Sequence, residues 1–421
     1  MKVTLINTSD AGGGAPAACL RLLKALHTQK VEAKLLVQYK KTGEKRVQGI
    51  VTGLFSRLRA KFDFLCERLP FIFFHERDKS VRFAFSRANA GKSIKDEKWI
   101  KDADILHLHW TNSGFLSIAD LKELVDTGKP IVWTLHDMWA FTGGCHYSGV
   151  CNHFINQCGD CYFLRDEEPN DISYDGWLRK AAMYADAKNI TFVACSQWLA
   201  GVAKQSSLLQ NFRITSIPNP IDTTVFSPQD KVDTREKWHI NPFAKIVLFG
   251  AANINDRRKG LKYLIEALGI LKTDYPETDF IEVVIFGKNK LFDVSQLPFR
   301  AHAFDLITSQ QELAEIYSLA DVFVTPSLED NLPNTVMEAM SCGTPVVAFN
   351  TGGLPEMIDH LQNGYLAEFK SAAEFAEGIF EILYSDSEKN LSVNARNKVL
   401  ENYNNEKVAR QYIEVYKSLV K

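Results

Sequence analysis

Two carboxylates near the end of the chain, Asp330 and Glu338, flank seven residues, and a glycine pair, Gly352 and Gly353, follows the next apolar run. Ionised carboxylates accept hydrogen bonds from hydroxyl groups, and exposed amides beside glycine can face a phosphate. Upstream, Asp256-Arg257-Arg258-Lys259-Gly260 sets three cations ahead of a helix start, a cradle suited to a diphosphate. Near the other end, Gly12, Gly13 and Gly14 form a glycine loop that opens a helix and admits an anion or a sugar. Each motif has a plainer alternative. Thr335-x-x-Glu338 is also a capping box, the basic run also reads as a solvated turn, and a histidine at a strand end is often structural.

Four of the eight cysteines, Cys145, Cys151, Cys158 and Cys161, fall within seventeen positions, beside His146 and His153. Cys158-x-x-Cys161 has the knuckle spacing of tetrahedral zinc, whereas Cys145-x5-Cys151 is longer than the usual knuckle. The alternatives are an iron–sulfur cluster or free thiols; disulfides are disfavoured in a reducing compartment.

These groups need elements to hold them. Residues 321–325 (DVFVT) and 345–349 (PVVAF) read as short buried strands, with a helix over 335–341 between them that stops at Gly343. In an open parallel sheet, ligands gather beyond the carboxyl ends of the strands, where the 328–333 loop and the glycine pair fall. Residues 2–7 read as a strand feeding the glycine loop and a helix to about residue 26. Gly12-x-Gly14-x-x-Ala17 meets a loose dinucleotide fingerprint, but the next strand, 32–38, ends in Gln38-Tyr39 without the acidic residue that a ribose 2′-hydroxyl needs, so NAD is discounted. Strand 104–110 places His107 and His109 on one face, and strand 131–135 ends in His136-Asp137. Asp102-Ala103-Asp104 precedes a strand and is read as chance. Strands 245–250 (KIVLFG) and 281–287 (IEVVIFG), the latter ending in Gly287, open a second α/β region after Pro218-Asn219-Pro220 breaks the pattern.

Over 54–74, Leu54, Leu58, Phe62, Leu65 and Leu69 recur at helical spacing beside Arg57, Arg59, Lys61 and Arg68. Such a stretch suits an anionic membrane surface or a lipid-linked acceptor, or else an ordinary helix with its apolar side on the core. The 421 residues are 46% hydrophobic with a formal net charge of −2, enough for two domains and without the basic bias of a nucleic-acid binder. The apolar run after Met1-Lys2 is too short for a signal peptide, and no run approaches ~20 apolar residues. The expected location is cytoplasmic, with peripheral contact at the inner face of the cell membrane.

The string from Pro326 to Met357 is similar to the signature of family 4 of the retaining GT-B glycosyltransferases: Glu338, Ala339, Met340, Gly343, Pro345, Val346, Val347, Gly352 and Gly353 match in register. Asp330 stands where that family carries its first Glu, with Glu329 just before it. The resemblance covers nearly the whole chain, most weakly from about 43 to 101 and in the cysteine insert. It implies an α/β fold of GT-B type, two Rossmann-like domains facing an interdomain cleft: 1–218 on the acceptor side with the insert at 145–161, a linker over 219–240, a nucleotide-sugar domain over 241–404, and a helix over 405–421 that packs back on the first domain. It implies transfer of a sugar from a nucleoside diphosphate sugar to an acceptor hydroxyl, with retention and without a catalytic metal. Glu338 would hold the ribose, while Asp330 and His136 would contact the donor sugar. Lys259 with Arg257 or Arg258 would take the diphosphate, because Ala251 stands where an Arg is expected. Gly12, Gly13, Gly14, Gly287, Glu329, Asn331, Leu332, Gly352 and Gly353 would line the donor. HDMWAFTGGCHY resembles a subgroup tied to polysaccharide assembly, which implies a glycan or lipid-linked glycan acceptor in capsule or cell-surface synthesis. Two other expectations remain, a nucleotide-sugar epimerase on the same fold and a sugar-nucleotide-binding module without turnover.

Overall fold

The computed structural model describes residues 1–275, 278–288, 292–384 and 388–420; Lys421, the last residue of the helix expected over 405–421, lies outside them. The chain divides into two compact units, Met1–Pro218 with Val408–Lys421, and Asn219–Lys407. Among the described residues the first unit holds seven strands: β1 (Lys2–Ser9), β2 (Glu32–Tyr39), β3 (Val47–Gly49), β4 (Ile105–Leu108), β5 (Ile131–Leu135), β6 (Ile190–Ala194) and β7 (Arg213–Ser216). All pair in parallel, in the order β3-β2-β1-β4-β5-β6-β7. Their continuous apolar runs follow from burial on both faces. Leu5, Leu35, Val37, Ile105, Val132 and Val193 pack to one side with the helix Gly14–Thr28 and with Val408, Tyr412 and Tyr416. Ile6, Leu36, Leu106, Ile131, Trp133 and Phe192 pack to the other. Neighbours along each strand thus serve opposite cores, as a period of two requires.

The second unit repeats the scheme with β8 (Lys245–Asn253), β9 (Ile281–Lys288), β10 (Arg300–Phe304), β11 (Val322–Thr325), β12 (Val346–Phe349) and β13 (Gly364–Ala367), all parallel in the order β10-β9-β8-β11-β12-β13. β8 runs three residues beyond the expected Gly250, through a register shift between Gly250 and Asn253. Within 219–240 a helix forms over Lys231–Lys237.

The helix Leu54–Pro70 forms where the apolar periodicity predicts it, but its apolar residues Leu54, Phe55, Leu58, Phe62, Leu65 and Leu69 are exposed. The alternative of a core-facing apolar side is thereby set aside. Its buried side is polar.

Asp321, just before β11, fastens the start of the second sheet. Its carboxylate accepts from Arg235 Nη2 and Lys231 Nζ, each at 2.8 Å, and from the Ile246 amide at 2.7 Å. Arg235 and Asp321 are both buried, so removing the carboxylate strands a guanidinium in a dry setting. Asp321→Ala should cost about 3 to 5 kcal/mol of unfolding free energy, read from chemical denaturation followed by circular dichroism.

Candidate active site

Strand order decides where a ligand can sit. In each sheet the direction of strand addition reverses, between β1 and β4 in the first and between β8 and β11 in the second, and the loops leaving such a pair diverge to open a crevice at the carboxyl ends. β8 leads to the basic run and β11 leads to Asp330, so topology alone brings these two segments together.

The contact between them is tight. Lys259 Nζ donates to Asp330 Oδ2 at 2.5 Å, and Ser327 Oγ donates to the same oxygen at 3.3 Å. Arg258 donates to the Glu329 carbonyl at 3.2 Å and to Asp256 Oδ2 at 3.0 Å, while its own carbonyl accepts from the Leu328 amide at 2.7 Å. Asp256 also caps the short turn Arg257–Lys259 through the Arg258 amide. Arg257 is exposed. Gly260 turns the chain at φ 69°, where a Cβ would stand 1.9 Å from the Pro326 carbonyl oxygen. Gly352, at φ 60°, lies so close to Asp330 that a Cβ would stand 2.0 Å from its carbonyl oxygen, and the Gly353 amide donates to that oxygen at 3.0 Å. Asp330 is 7% exposed, and Asn331 and Leu332 beside it are buried. Burial pushes its carboxyl upward, but the charges of Lys259 and Arg258, with hydrogen bonds from Lys259 and Ser327, hold it below the usual carboxylate range. The carboxylate is therefore ionised and anchored.

Glu338 lies inside the helix Asn334–Ser341, whose N-cap is Pro333 without a side-chain cap bond. Thr335 is thus already helical, and the capping-box alternative for Glu338 is overturned by where the helix begins. Glu338 is 6% exposed, and Tyr317 donates its hydroxyl to Oε2 at 3.0 Å. Tyr317 gave no signal in the sequence beyond a helical pattern. Gly287, at the end of β9 with φ 126°, approaches the Ala251 carbonyl so closely that a Cβ would stand 1.8 Å away. The glycine at 287 is therefore what lets the end of β9 lie against the β8 backbone.

In the first unit, Gly12, Gly13 and Gly14 follow β1 and are exposed at the start of the helix Gly14–Thr28, which carries no side-chain cap. Asp10 steadies this loop by accepting the amides of Lys41 at 2.7 Å and Thr42 at 3.0 Å. His136, after β5, joins a column of three rings. His109 Nδ1 lies 2.9 Å from His136 Nε2, and the His107 and His109 ring centres are 4.3 Å apart. His107 is sealed between Tyr416 and Thr134, each at 2.7 Å, and is structural. Burial drives His107 down to about 3 and His136 to about 4, and carries His109 well below its ordinary value. All three are neutral near pH 7. Next to them, Asp137 Oδ2 lies 2.7 Å from His146 Nδ1 and accepts Trp110 Nε1 at 3.0 Å. Sequence pattern singled out none of these contacts.

Cys145, Cys151, Cys158 and Cys161 line one small cavity with His153, and all four are free thiols. Burial, then the neighbouring thiols, push Cys145 well up, and burial lifts Cys158 to about 11 and Cys161 to about 12. Among the described residues no group of three or more His, Cys, Asp or Glu side chains is arranged to hold a metal ion. A larger cavity of about 440 Å³, lined by Lys122, Asp126, Asp186 and Lys188, lies at the amino ends of β5 and β6 and so away from the ligand end of the sheet.

Comparison with known proteins gives the family and the fold. Residues 12–225 match the family described as Glycosyltransferase Family 4, and residues 230–398 match Glycosyl transferases group 1. A D-inositol 3-phosphate glycosyltransferase of Arthrobacter sp. is 34% identical over 297 residues, 67% of this chain and 62% of that protein. Its counterpart in Pseudarthrobacter chlorophenolicus is 29% identical over 67% of this chain and 63% of its own length. The chain thus spans under two thirds of the length of these relatives. WcaC of Escherichia coli, named for colanic acid biosynthesis, is 26% identical over 72% of this chain and 74% of its own. Among solved structures, the sucrose-phosphate synthase of Thermosynechococcus elongatus superposes with a TM-score of 0.68 at 18% identity, covering 99% of this chain and 98% of that one. HepE of Anabaena, solved with UDP and glucose, gives 0.63 at 15% identity, covering 99% and 100%. These likenesses identify the fold as GT-B.

The neutral histidine column makes stability depend on pH. An unfolded histidine takes up a proton near pH 6.5, whereas the buried His107 and His136 do so only near 3 and 4. The unfolded chain therefore binds more protons in between, and the stabilisation is complete above about pH 6.5 and lost as pH falls. The melting temperature should drop from about pH 6.5 to about pH 5, and His107→Gln should reduce that slope.

Proposed function

The chain belongs to glycosyltransferase family 4, and from that premise we propose that it transfers a hexose or similar sugar from a nucleoside diphosphate sugar to an acceptor hydroxyl with retention of configuration. The observation that carries the reading is the anchored Asp330–Lys259 pair at the β8/β11 crevice, closed on one side by Gly352 and Gly353. In this reading Glu338, fixed through Tyr317, accepts the ribose hydroxyls. Asp330 meets the donor sugar together with the amides of Asn331 and Leu332, and His136 supplies a neutral imidazole to the same sugar. Lys259, with Arg257 or Arg258, takes the diphosphate, where Ala251 leaves no arginine to do so. Gly287, Glu329 and the loop Gly12 to Gly14 complete the lining.

Charge builds on the phosphate as it departs, and cations already fixed there stabilise the transition state without reorganising. The acceptor hydroxyl then attacks the same face, and the leaving phosphate takes its proton. No protein nucleophile is required. Likeness to WcaC, together with the polysaccharide-like text around His136, supports a glycan or lipid-linked glycan acceptor in cell-surface assembly. The four cysteines share a cavity but are not arranged around a metal position, and a structural zinc site there is proposed on the chemistry and spacing of their thiols alone.

Three measurements check this reading. UDP-, GDP-, ADP- and TDP-sugars, added without metal, should include one that raises the melting temperature, because a ligand of the folded state must stabilise it. If none does so at millimolar concentration, the transferase reading loses its support, and a product still attached to nucleotide would indicate epimerisation instead. Glu338→Gln should weaken donor binding by about 1 to 3 kcal/mol in calorimetry, and unchanged affinity in the folded variant would remove Glu338 from the ribose. Metal analysis of protein made without an affinity tag should find zinc, and finding neither zinc nor iron would remove that site.

A further inference from the structure

The helix Leu54–Pro70 is amphipathic and packs the wrong way round for a core helix. Its buried side chains are Ala60, Asp63, Glu67 and Arg68, whereas Phe55 is 88% exposed and Phe62 is 62% exposed. Leu54, Leu58, Leu65 and Leu69 stand exposed on the same stripe. The polar side is locked in place. Glu67 accepts the Gly114 amide at 2.7 Å, and Arg68 donates to the Phe85 carbonyl at 2.7 Å and to Ser86 Oγ at 3.0 Å. Gly114, at φ 73°, sits so close that a Cβ would stand 2.5 Å from the Phe64 amide nitrogen. Rolling the helix to hide the stripe would break buried charged hydrogen bonds, so exposure belongs to the folded state.

An apolar face this long is rarely left to water. It continues past the helix in Phe73, Phe74 and Phe83, with Phe74 68% exposed. The charges on the helix say what covers it. Its two acidic side chains, Asp63 and Glu67, are buried, and its exposed ionic side chains, Arg57, Arg59 and Lys61, are all cationic. At 3.6 residues per turn, Arg57 and Lys61 run along one edge of the stripe and Arg59 along the other. Arg59 also donates to Asp63 at 2.9 Å. A helix that lies in the head-group layer of an anionic bilayer needs this arrangement, with the apolar stripe in the acyl boundary and cations at the phosphates. Among the described residues no helix is long and apolar enough to cross a membrane. On the helix the exposed charge is all cationic, which suits an anionic bilayer, and beyond it the exposed Asp78 pairs with Arg77 at 3.3 Å.

We infer that the helix Leu54–Pro70, continued by Phe73, Phe74 and Phe83, is a docking surface for an anionic lipid bilayer. It lies outside the donor-binding residues, so its test is separate from the test of sugar transfer. The full chain is floated with vesicles of phosphatidylcholine alone, or with about a third of the lipid replaced by phosphatidylglycerol. Binding should be at least about tenfold tighter to the anionic vesicles and should weaken as salt screens the cations. Phe55→Ser with Phe62→Ser and Phe74→Ser should lower that binding by more than about tenfold. The same variant should keep its melting temperature and its response to donor sugars, because these side chains face solvent. Arg57→Glu with Lys61→Glu should abolish the preference for anionic lipid. Failure of the native chain to float with anionic vesicles would overturn the inference, and so would undiminished binding by the serine variant. A dimer seen by light scattering that the serine substitutions dissolve, without vesicle binding, would assign the face to a second copy of the chain.

Discussion

Two backbone contacts that only glycine permits hold the candidate site in register. Gly352 presses on the Asp330 carbonyl, and Gly260 presses on that of Pro326, each where a Cβ would stand 2.0 Å or less from the oxygen. Both glycines have positive φ, so an ordinary side chain meets steric and conformational penalties at once. The first contact fixes the loop after β11 from the side of β12, and the second fixes it from the side of β8. Asp330 is caught between them, and its carboxylate is kept ionised by Lys259 and Arg258 against the pull of burial. Without the two glycines the loop would have to retreat, and the carboxylate would lose its cation.

The same logic separates the roles of the two sheets. In the second unit the polar groups at the switch point are charged and paired, as a site for a charged ligand requires. In the first unit, the corresponding region presents exposed glycines after β1 and uncharged imidazoles after β4 and β5. A neutral ring at His136 can either donate or accept a hydrogen bond. The His107 ring beneath it is held by Tyr416 directly and through Thr134 by Tyr412, so the last helix of the chain supports the column from below.

Much of this was legible from residue order. The apolar runs of β1, β5, β8, β9 and β11 announce strands buried on both faces, and the spacing of Asp330, Glu338, Gly352 and Gly353 announces the loop cluster. Periodicity over 54–74 gave the place of the helix Leu54–Pro70 but not its sense, because a helical stripe reports that two sides differ and says nothing about which one meets solvent. The capping box at Thr335 failed for a related reason. Its spacing is right, yet the helix begins one residue earlier, after Pro333, and Tyr317 from a distant segment claims the Glu338 carboxylate. Contacts between segments far apart in the chain, such as His107 with Tyr416, leave no local trace. The cysteine spacing predicted a common location, and the four side chains do share a cavity, but spacing alone does not set their mutual geometry.

In the proposed reading a donor sugar nucleotide binds at the ends of β8, β11 and β12, where Lys259 and Gly352 meet Asp330, with Glu338 on the helix that follows β11. Hydrogen-exchange mass spectrometry of the full chain, with and without the donor sugar that stabilises it, tests this most directly. Protection on binding should concentrate in residues 257–260, 328–338 and 350–354. Donor binding that leaves exchange in all three segments unchanged would contradict it.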